Sequence, residues 1–448
     1  MSGSIVVAVA RIKRNVARYL TAASIAEACR DVGHVWRERE LGPAATVWAF
    51  LLQVLHGNAP CQQVVRLAQL TCSAAAYCQA RARLPLAALE RIVDQTGRVT
   101  RGCRESLWHG HRTFWVDGST FSMPDSAALR DHFGQSGQQQ VGCGFPIAHL
   151  LAMFDAATGL LIKVLAAPLR THDMSQIAQL HPELSAGDVL TGDRGFASYA
   201  HLALLLLRNL HGLFRAHQRQ LISFRSDRRL SGPQPRGTVA SRASSRLVRK
   251  LGRFDQVVEY DKPPMRPAWM DAAAYAALPD TIVVRELRYR TSTPGFRTRV
   301  ITLATTLVDA EAYTLDELAG LYRRRWEIET NFAHLKTTMG MDVLRCQSVA
   351  GVLKELAMFA LVYNLIRLVM LGAAQAQGVP LAQISFVDAL RWLVEACQFE
   401  PELHLHVNPV RPNRVEPRVR KRRPKEYPLM KHPRRQLRQL LLNKHVAA

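Results

Sequence analysis

Acidic residues are scarce in this chain: 36 Asp and Glu stand against 59 Lys and Arg, giving a net charge of +23 and an isoelectric point near 10.3. Such a shortage argues against a cationic partner and for a polyanionic one, because each Lys or Arg set beside a phosphate releases condensed counterions. Paired cysteines are also lacking. The eight cysteines, at 29, 61, 72, 78, 103, 143, 346 and 397, include no C-x-x-C pair and no zinc-ligand spacing, so a zinc module is excluded and a reducing compartment is the simplest setting. Cys72 and Cys78 are read as small buried thiols. No G-K-[ST] follows the glycines around Gly142 and Gly144, which removes a phosphate loop and an ATP-driven mechanism. The most apolar helical stretch, Leu356 to Ala376, is interrupted by Asn364 and Arg367 and reads as a buried core helix, not a membrane span. The opening MSGSIVVAVARIKRN is charged too soon after its short apolar run to be a clear signal peptide. A soluble, cytoplasmic protein that associates with the nucleoid and needs no membrane is expected.

What is present is enough apolar material for packed cores. At 48% apolar over 448 residues, the chain is expected to hold a central domain with attachments. Residues 1–105 read as a helical, DNA-binding N-terminal domain, with turns at Gly42-Pro43, Gly57-Asn58 and Pro85. From Arg112 the pattern changes to short strands. Thr113 to Val116 is a β-rich run expected to end at Asp117-Gly118, and His149 to Phe154 with Leu160 to Ala166 flank the loop Asp155-Ala-Ala-Thr-Gly159 as a hairpin. A short helix after His172, a strand Asp188 to Thr191 ending at Gly192-Asp193, a helix Ser198 to Asn209 and a strand near Leu213 complete the order of a ribonuclease-H-like α/β core over 106–375. A basic, β-rich insertion is expected at about 219–300: Arg208 to Arg253 holds twelve Lys or Arg against one acid, Asp227, and the stretches Thr281 to Tyr289 and Arg297 to Leu303 alternate. A long helix should run from Thr314, an N-cap with Glu317 three residues on, to Thr338 before Gly340. Residues 376–448 read as further helix and a tail in which Arg411 to Arg438 carries twelve Lys or Arg against Glu416 and Glu426. No internal repeat is visible.

The chemistry concentrates on that long helix. Setting Tyr322 at zero and turning about 100° per residue, Arg325, Glu329 and Lys336 fall near about 300°, 340° and 320°, one polar arc over four turns. Leu321, Ile328, Phe332, Leu335 and Met339 form the apolar stripe beside it. Taken alone this is equally an amphipathic helix with an Arg325 to Glu329 ion pair at i,i+4. Two further acids shift the balance, V116-D117-G118 and T191-G192-D193-R194-G195, each where a strand tip should meet a glycine, the open edge at which α/β folds gather ligands. An Asp in such a place is also common in plain turns. Together, Asp117, Asp193 and Glu329 offer hard oxygen ligands to Mg²⁺, with Mn²⁺ as a substitute. Two such ions about 4 Å apart suit in-line displacement at phosphorus, and Arg194, Arg325 and Lys336 would grip DNA phosphates beside them.

The spacing Y322-x2-R325-x3-E329-x6-K336, with Trp326 and the later YNLIR at 363–367, resembles the insertion-sequence transposases of the insertion sequence four group. The blocks FWVDGSTF, THDMSQ and LTGDRGFASY resemble it too, so the likeness covers roughly residues 110–375. It implies a DDE transposase with Asp117, Asp193 and Glu329 as catalytic metal ligands and Tyr322, Arg325 and Lys336 on the transposon-end DNA. It also implies cut-and-paste DNA transposition through a hairpin intermediate, by a homodimer that synapses two ends and joins them to target DNA. The interval of 136 residues between Asp193 and Glu329 agrees with the family's β-rich insertion. The family stacks a flipped base on a Trp in that insertion; Trp269 is the only Trp available there, and its surroundings point instead to a core or surface role. His109 and His111 are read as surface or packing residues. Two alternatives are a catalytically silent DNA-binding relative, which should have lost an acid, and a metal-dependent nuclease on the same fold.

Overall fold

The computed structural model describes residues 20–37, 39–99, 107–136, 143–217, 220, 222–225, 244–291, 300–395, 403–410 and 431–446. Residues 226–243 and 292–299 of the expected basic insertion, the tail at 411–430, and Gly142, Cys103 and Cys397 lie outside them.

Among the described residues five helices come first: α1 (Ala22–Asp31), α2 (Pro43–Leu55), α3 (Cys61–Leu67), α4 (Ala74–Arg83) and α5 (Leu86–Gly97). Local sequence starts them. Thr21 and Ser24 form a reciprocal capping box on α1, Pro43 occupies the first turn of α2, and the Ser73 hydroxyl caps α4.

A nine-stranded mixed sheet follows. Its strands are β1 (Thr113–Ser122), β2 (Ile147–Asp155), β3 (Leu161–Pro168), β4 (Val189–Gly192), β5 (His211–Arg215), β6 (Ser245–Gly252), β7 (Asp255–Asp261), β8 (Thr281–Arg290) and β9 (Val300–Thr305), in the order β3-β2-β1-β4-β5-β9-β8-β7-β6. Only β1, β4 and β5 run parallel. Strand β9 returns beside β5, so the β-rich insertion extends the same sheet. Between strands lie α6 (Ala127–Phe133), α7 (Asp173–Gln176), α8 (Tyr199–Leu207) and α9 (Ala272–Ala276). This is an α/β architecture, a central mixed sheet flanked by N- and C-terminal helices, consistent with a ribonuclease-H-like core.

One expected strand end is corrected. Strand β1 does not stop at Asp117-Gly118; it continues to Ser122, because β2 offers antiparallel partners all the way to Ile147↔Ser122. Its parallel partner β4 does stop there, with Val116↔Gly192 as the last pair. Asp117 therefore sits mid-strand, where one of its two neighbouring strands has ended.

After the sheet come α10 (Leu315–Arg324), α11 (Glu327–Ala333), α12 (Val349–Gln377), α13 (Phe386–Glu395) and α14 (Arg434–Val446). The single helix expected from Thr314 to Thr338 is also corrected. Its start is as read, with Thr314 and Glu317 forming a capping box. At Arg325 and Trp326 the bonds tighten to i→i−3, from Arg325 N to Tyr322 O (3.1 Å), Ile328 N to Arg325 O (3.0 Å) and Glu329 N to Trp326 O (3.2 Å). Past Ala333 the winding loosens into a π turn, His334–Thr338, closed by Met339 N to His334 O (2.9 Å). A projection at constant pitch does not carry across these changes. Irregular winding inside a helix is concentrated at functional sites.

Helix α12 is the core helix expected from its composition, buried along most of its length. It packs with α1 to α5, α11 and the β1–β2 face in one apolar cluster that includes Phe50, Tyr77, Trp115, Phe154, Ile328 and Phe359. The polar residues that interrupt it clamp the β2–β3 turn. Tyr363 donates to Gly159 O (2.9 Å), Asn364 exchanges bonds with Leu161 N and O (2.8 and 2.9 Å), and Arg367 donates to Thr158 O. The turn needs Gly159, which has φ +69°. The opposite sheet face carries a second cluster around Val116, Met153, Met174, Phe196 and Phe214. Trp269 packs half-buried against that second cluster, a packing role. His109 reaches Glu317 (3.1 Å), and His111 bonds Gly187 O (2.5 Å) and Tyr313 (2.7 Å), also packing roles. The thiol expectation fails for two residues: Cys78 is exposed and Cys72 only half-buried, both free, because α4 turns Cys78 outward while Tyr77 takes the core position.

Candidate active site

Parallel pairing brings the first two acids together. Val116 and Gly192 are the last partners of the β1–β4 overlap, so Asp117, still in β1, and Asp193, just past the end of β4, lie at the same level. On the far side of β4, Gly192 pairs with Phe214, which puts Arg215 at the corresponding position of β5. Three neighbouring strands thus carry Asp, Asp and Arg at the level where β4 ends. The carboxyl ends of parallel strands are where α/β sheets collect ligands.

Asp117 is held from two directions. Its Oδ1 accepts from the Gly118 amide (2.9 Å), and its Oδ2 pairs with Arg325 Nη1 (3.1 Å). Burial pushes its carboxyl up to about 6 against the opposing pull of Arg325, and the nearby Asp193 pushes it further. Asp193 is half-buried, and its Oδ1 accepts from Gly195 N (2.7 Å) to close a tight turn.

Arg325 is 8% exposed. Its guanidinium lies between the rings of Tyr322 and Trp326, 5.7 and 5.8 Å from their centroids. The i,i+4 ion pair with Glu329 open to Arg325 is therefore not the one it makes. Tyr322 is buried, as are Leu321, Ile328, Phe332, Leu335 and Met339 of the expected stripe. Lys336, in the π turn, donates to Thr120 O (2.7 Å) on the part of β1 that β4 does not cover. Glu329 is exposed, and no ion pair or hydrogen bond ties its carboxylate to the described residues. Among the described residues no three of His, Cys, Asp and Glu stand close enough together to hold a metal ion. The site as seen comprises Asp117, Asp193, Tyr322 and Arg325, with Glu329 outside it and Lys336 bracing β1.

Arg194, the residue after Asp193, is exposed and lines, with Arg215, His217, Arg288 and Thr302, a basic cavity of about 210 Å³. Sequence reasoning missed Arg215 and Arg288. Arg215 was within reach, as the last residue of the third parallel strand; Arg288, mid-strand in β8, carries no local signal. Asp173 was missed as well, although the THDMSQ block contains it.

Residues 108–365 match the protein family described as the transposase DDE domain. The chain belongs to the DDE transposases. Within them it is of the IS4-like insertion-sequence kind. Over 439 residues it is 24% identical to the transposase InsG for insertion sequence element IS4 of Escherichia coli K12, covering 92% of each chain. It is 28% identical over 147 residues to the putative transposase InsZ of the same organism, covering 30% of this chain and 47% of that one. A solved structure, the piggyBac transposase synaptic complex with hairpin DNA, aligns with a TM-score of 0.43 at 10% identity, over 87% of this transposase and 80% of that chain.

Proposed function

We propose that this transposase cuts and rejoins DNA at the ends of its own insertion sequence, a metal-dependent cut-and-paste reaction with Asp117, Asp193 and Glu329 as the catalytic carboxylates. The observation that carries the reading is the placement of Asp117 and Asp193 side by side, one residue past the last β1–β4 pair Val116↔Gly192, where burial and the nearby Asp193 leave Asp117 near 6 even beside Arg325. Two carboxylates in a poorly solvated recess call for a cation, and their hard oxygens suit Mg²⁺ or Mn²⁺. Asp117 and Asp193 would hold the ions, with Glu329 of α11 as third donor; bound there, a pair of such ions supplies Lewis-acid activation of a water or 3′-hydroxyl and stabilises the leaving oxygen.

The protein's own groups do the rest. Arg325 offsets part of the charge of Asp117 and is itself fixed by Tyr322 and Trp326. The basic cavity at Arg194, Arg215 and Arg288 suits a phosphate of double-stranded DNA adjoining Asp193. Exposed Trp326 and Glu329 lie on the side of the helix that DNA would approach. Two copies, each holding one end, form the working complex in this reading.

Asp117→Asn, Asp193→Asn and Glu329→Gln are each expected to abolish strand cleavage while leaving end binding largely intact, since carboxylates hold metal and the cations hold DNA. Nicking and gel-shift assays on the same preparations test this. Full cleavage by any one variant removes that residue from the site.

A further inference from the structure

Behind Asp117, on the other face of β1, lies a His–Asp hydrogen-bonded pair that the reaction as described does not use. Successive strand residues face opposite sides of a sheet. Asp117 faces Arg325 and the α11 side, and Gly118 faces α7 and the second core cluster. Asp173 opens α7, directly after His172, whose ring caps the Met174 amide (3.2 Å); Met174 is buried in the second cluster and anchors the turn. The Asp173 carboxylate lies flat on Gly118: a Cβ at that position would meet its two oxygens at 2.5 and 2.8 Å. His149 of β2, opposite Thr120, bonds Oδ1 of Asp173 through Nε2. Gly118 in turn donates its amide to Oδ1 of Asp117 (2.9 Å).

We propose that Asp173 and His149 are positioning residues for Asp117, acting through the Gly118 peptide: the His149–Asp173 pair presses on Gly118 and so fixes the amide that orients the Asp117 carboxylate. The inference rests on the reading of Asp117 as a metal ligand. At this point β1 has lost β4 as a neighbour and keeps only β2, with Gly118↔Leu151, so its peptide planes are constrained on one edge alone. A rigid backing on the opposite face supplies the constraint that a strand neighbour would give. Carboxylates that ligate metals depend on groups one layer out in this way. The need for glycine at 118 follows from the same contact, since any side chain displaces the carboxylate.

The test uses the full-length protein, Mn²⁺ alone as the metal probe, and a supercoiled plasmid carrying the element's own ends. Asp173→Ala is expected to weaken Mn²⁺ binding, read by electron paramagnetic resonance, by about tenfold to a hundredfold, and its crystal structure should show the Gly118 amide no longer bonded to Asp117. Asp173→Asn keeps the shape and the bond to His149 and should restore both; it also covers the case in which the alanine variant fails to fold. Gly118→Ala should mimic Asp173→Ala, with Mn²⁺ affinity and nicking both lowered. Persistence of the Gly118–Asp117 bond in Asp173→Ala overturns the proposal. So does wild-type Mn²⁺ affinity in that variant while Asp117→Asn has lost it, or an asparagine variant as impaired as the alanine one. Should Asp117→Asn itself bind Mn²⁺ normally, the ligand reading of Asp117 is what fails, and the positioning claim stands or falls on the crystal structure alone.

Discussion

Replacing Asp117 with Asn is expected to inactivate the transposase and, at neutral pH without metal, to make it more stable. Its carboxyl rises from 3.8 to about 6 in the folded protein, burial being the main cause. Each tenfold change in proton affinity is worth about 1.4 kcal/mol, so keeping this carboxylate ionised in the native state costs about 3 kcal/mol. The side chain is 25% exposed, so solvent relaxation reduces rather than removes that figure. Because the folded value lies above the unfolded one, the native state binds more protons between about pH 4 and pH 6, and stability falls as pH rises through that window. Above pH 6 the loss is complete. Asn, which does not titrate, escapes it while keeping the volume and an acceptor for the Gly118 amide. The stability of Asp117→Asn relative to wild type should therefore grow by about 1 to 2 kcal/mol between pH 4.5 and pH 7. Thermal midpoints of both proteins in EDTA across this range read the difference directly. Saturating Mg²⁺ should shrink it, since a bound cation relieves the wild-type carboxylates only. A difference independent of pH, or an Asn variant less stable at pH 7 than at pH 4.5 relative to wild type, refutes the reasoning: Arg325 would then neutralise Asp117 fully and no unrelieved charge would await a metal.

Two other outcomes follow from contacts already described. Lys336→Ala should lower the salt slope of end binding by about one phosphate contact; an unchanged slope with a lowered thermal midpoint assigns Lys336 to bracing Thr120 alone. Asn364→Leu strands the amide and carbonyl of Leu161 inside the core and should cost roughly 2 to 5 kcal/mol in denaturant unfolding, whereas a neutral result would mean that α12 does not clamp the β2–β3 turn.

Much of the fold was legible because its signals are local. The hairpin around Asp155 to Gly159, the strand before Asp193 and the cap at Thr314 each depend on turn and capping residues within a few positions. What escaped depends on partners far away in the chain. Strand β1 passes Asp117 because β2 keeps pairing with it, which no run inside 113–122 announces. The long helix tightens at Arg325 and Trp326 without a Pro or Gly to mark the place; there Arg325 is drawn to Asp117, 208 residues earlier.

That last contact also bears on how the candidate site was read. Spacing alone placed Tyr322, Arg325, Glu329 and Lys336 on one arc, as a constant pitch requires. The structure divides them: Tyr322 and Arg325 are buried against the Asp117 side, Glu329 faces solvent, and Lys336 reaches the uncovered stretch of β1. A tightened turn before Glu329 and a π turn after it are the two places where rewinding changes its azimuth with little loss of core, because Ile328 and Phe332 stay anchored in the apolar cluster between them. The Arg325–Asp117 pair holds the first of these turns. The same buried pair that offsets part of the Asp117 charge therefore also fixes where the helix departs from regular pitch, and with it the direction in which Glu329 points.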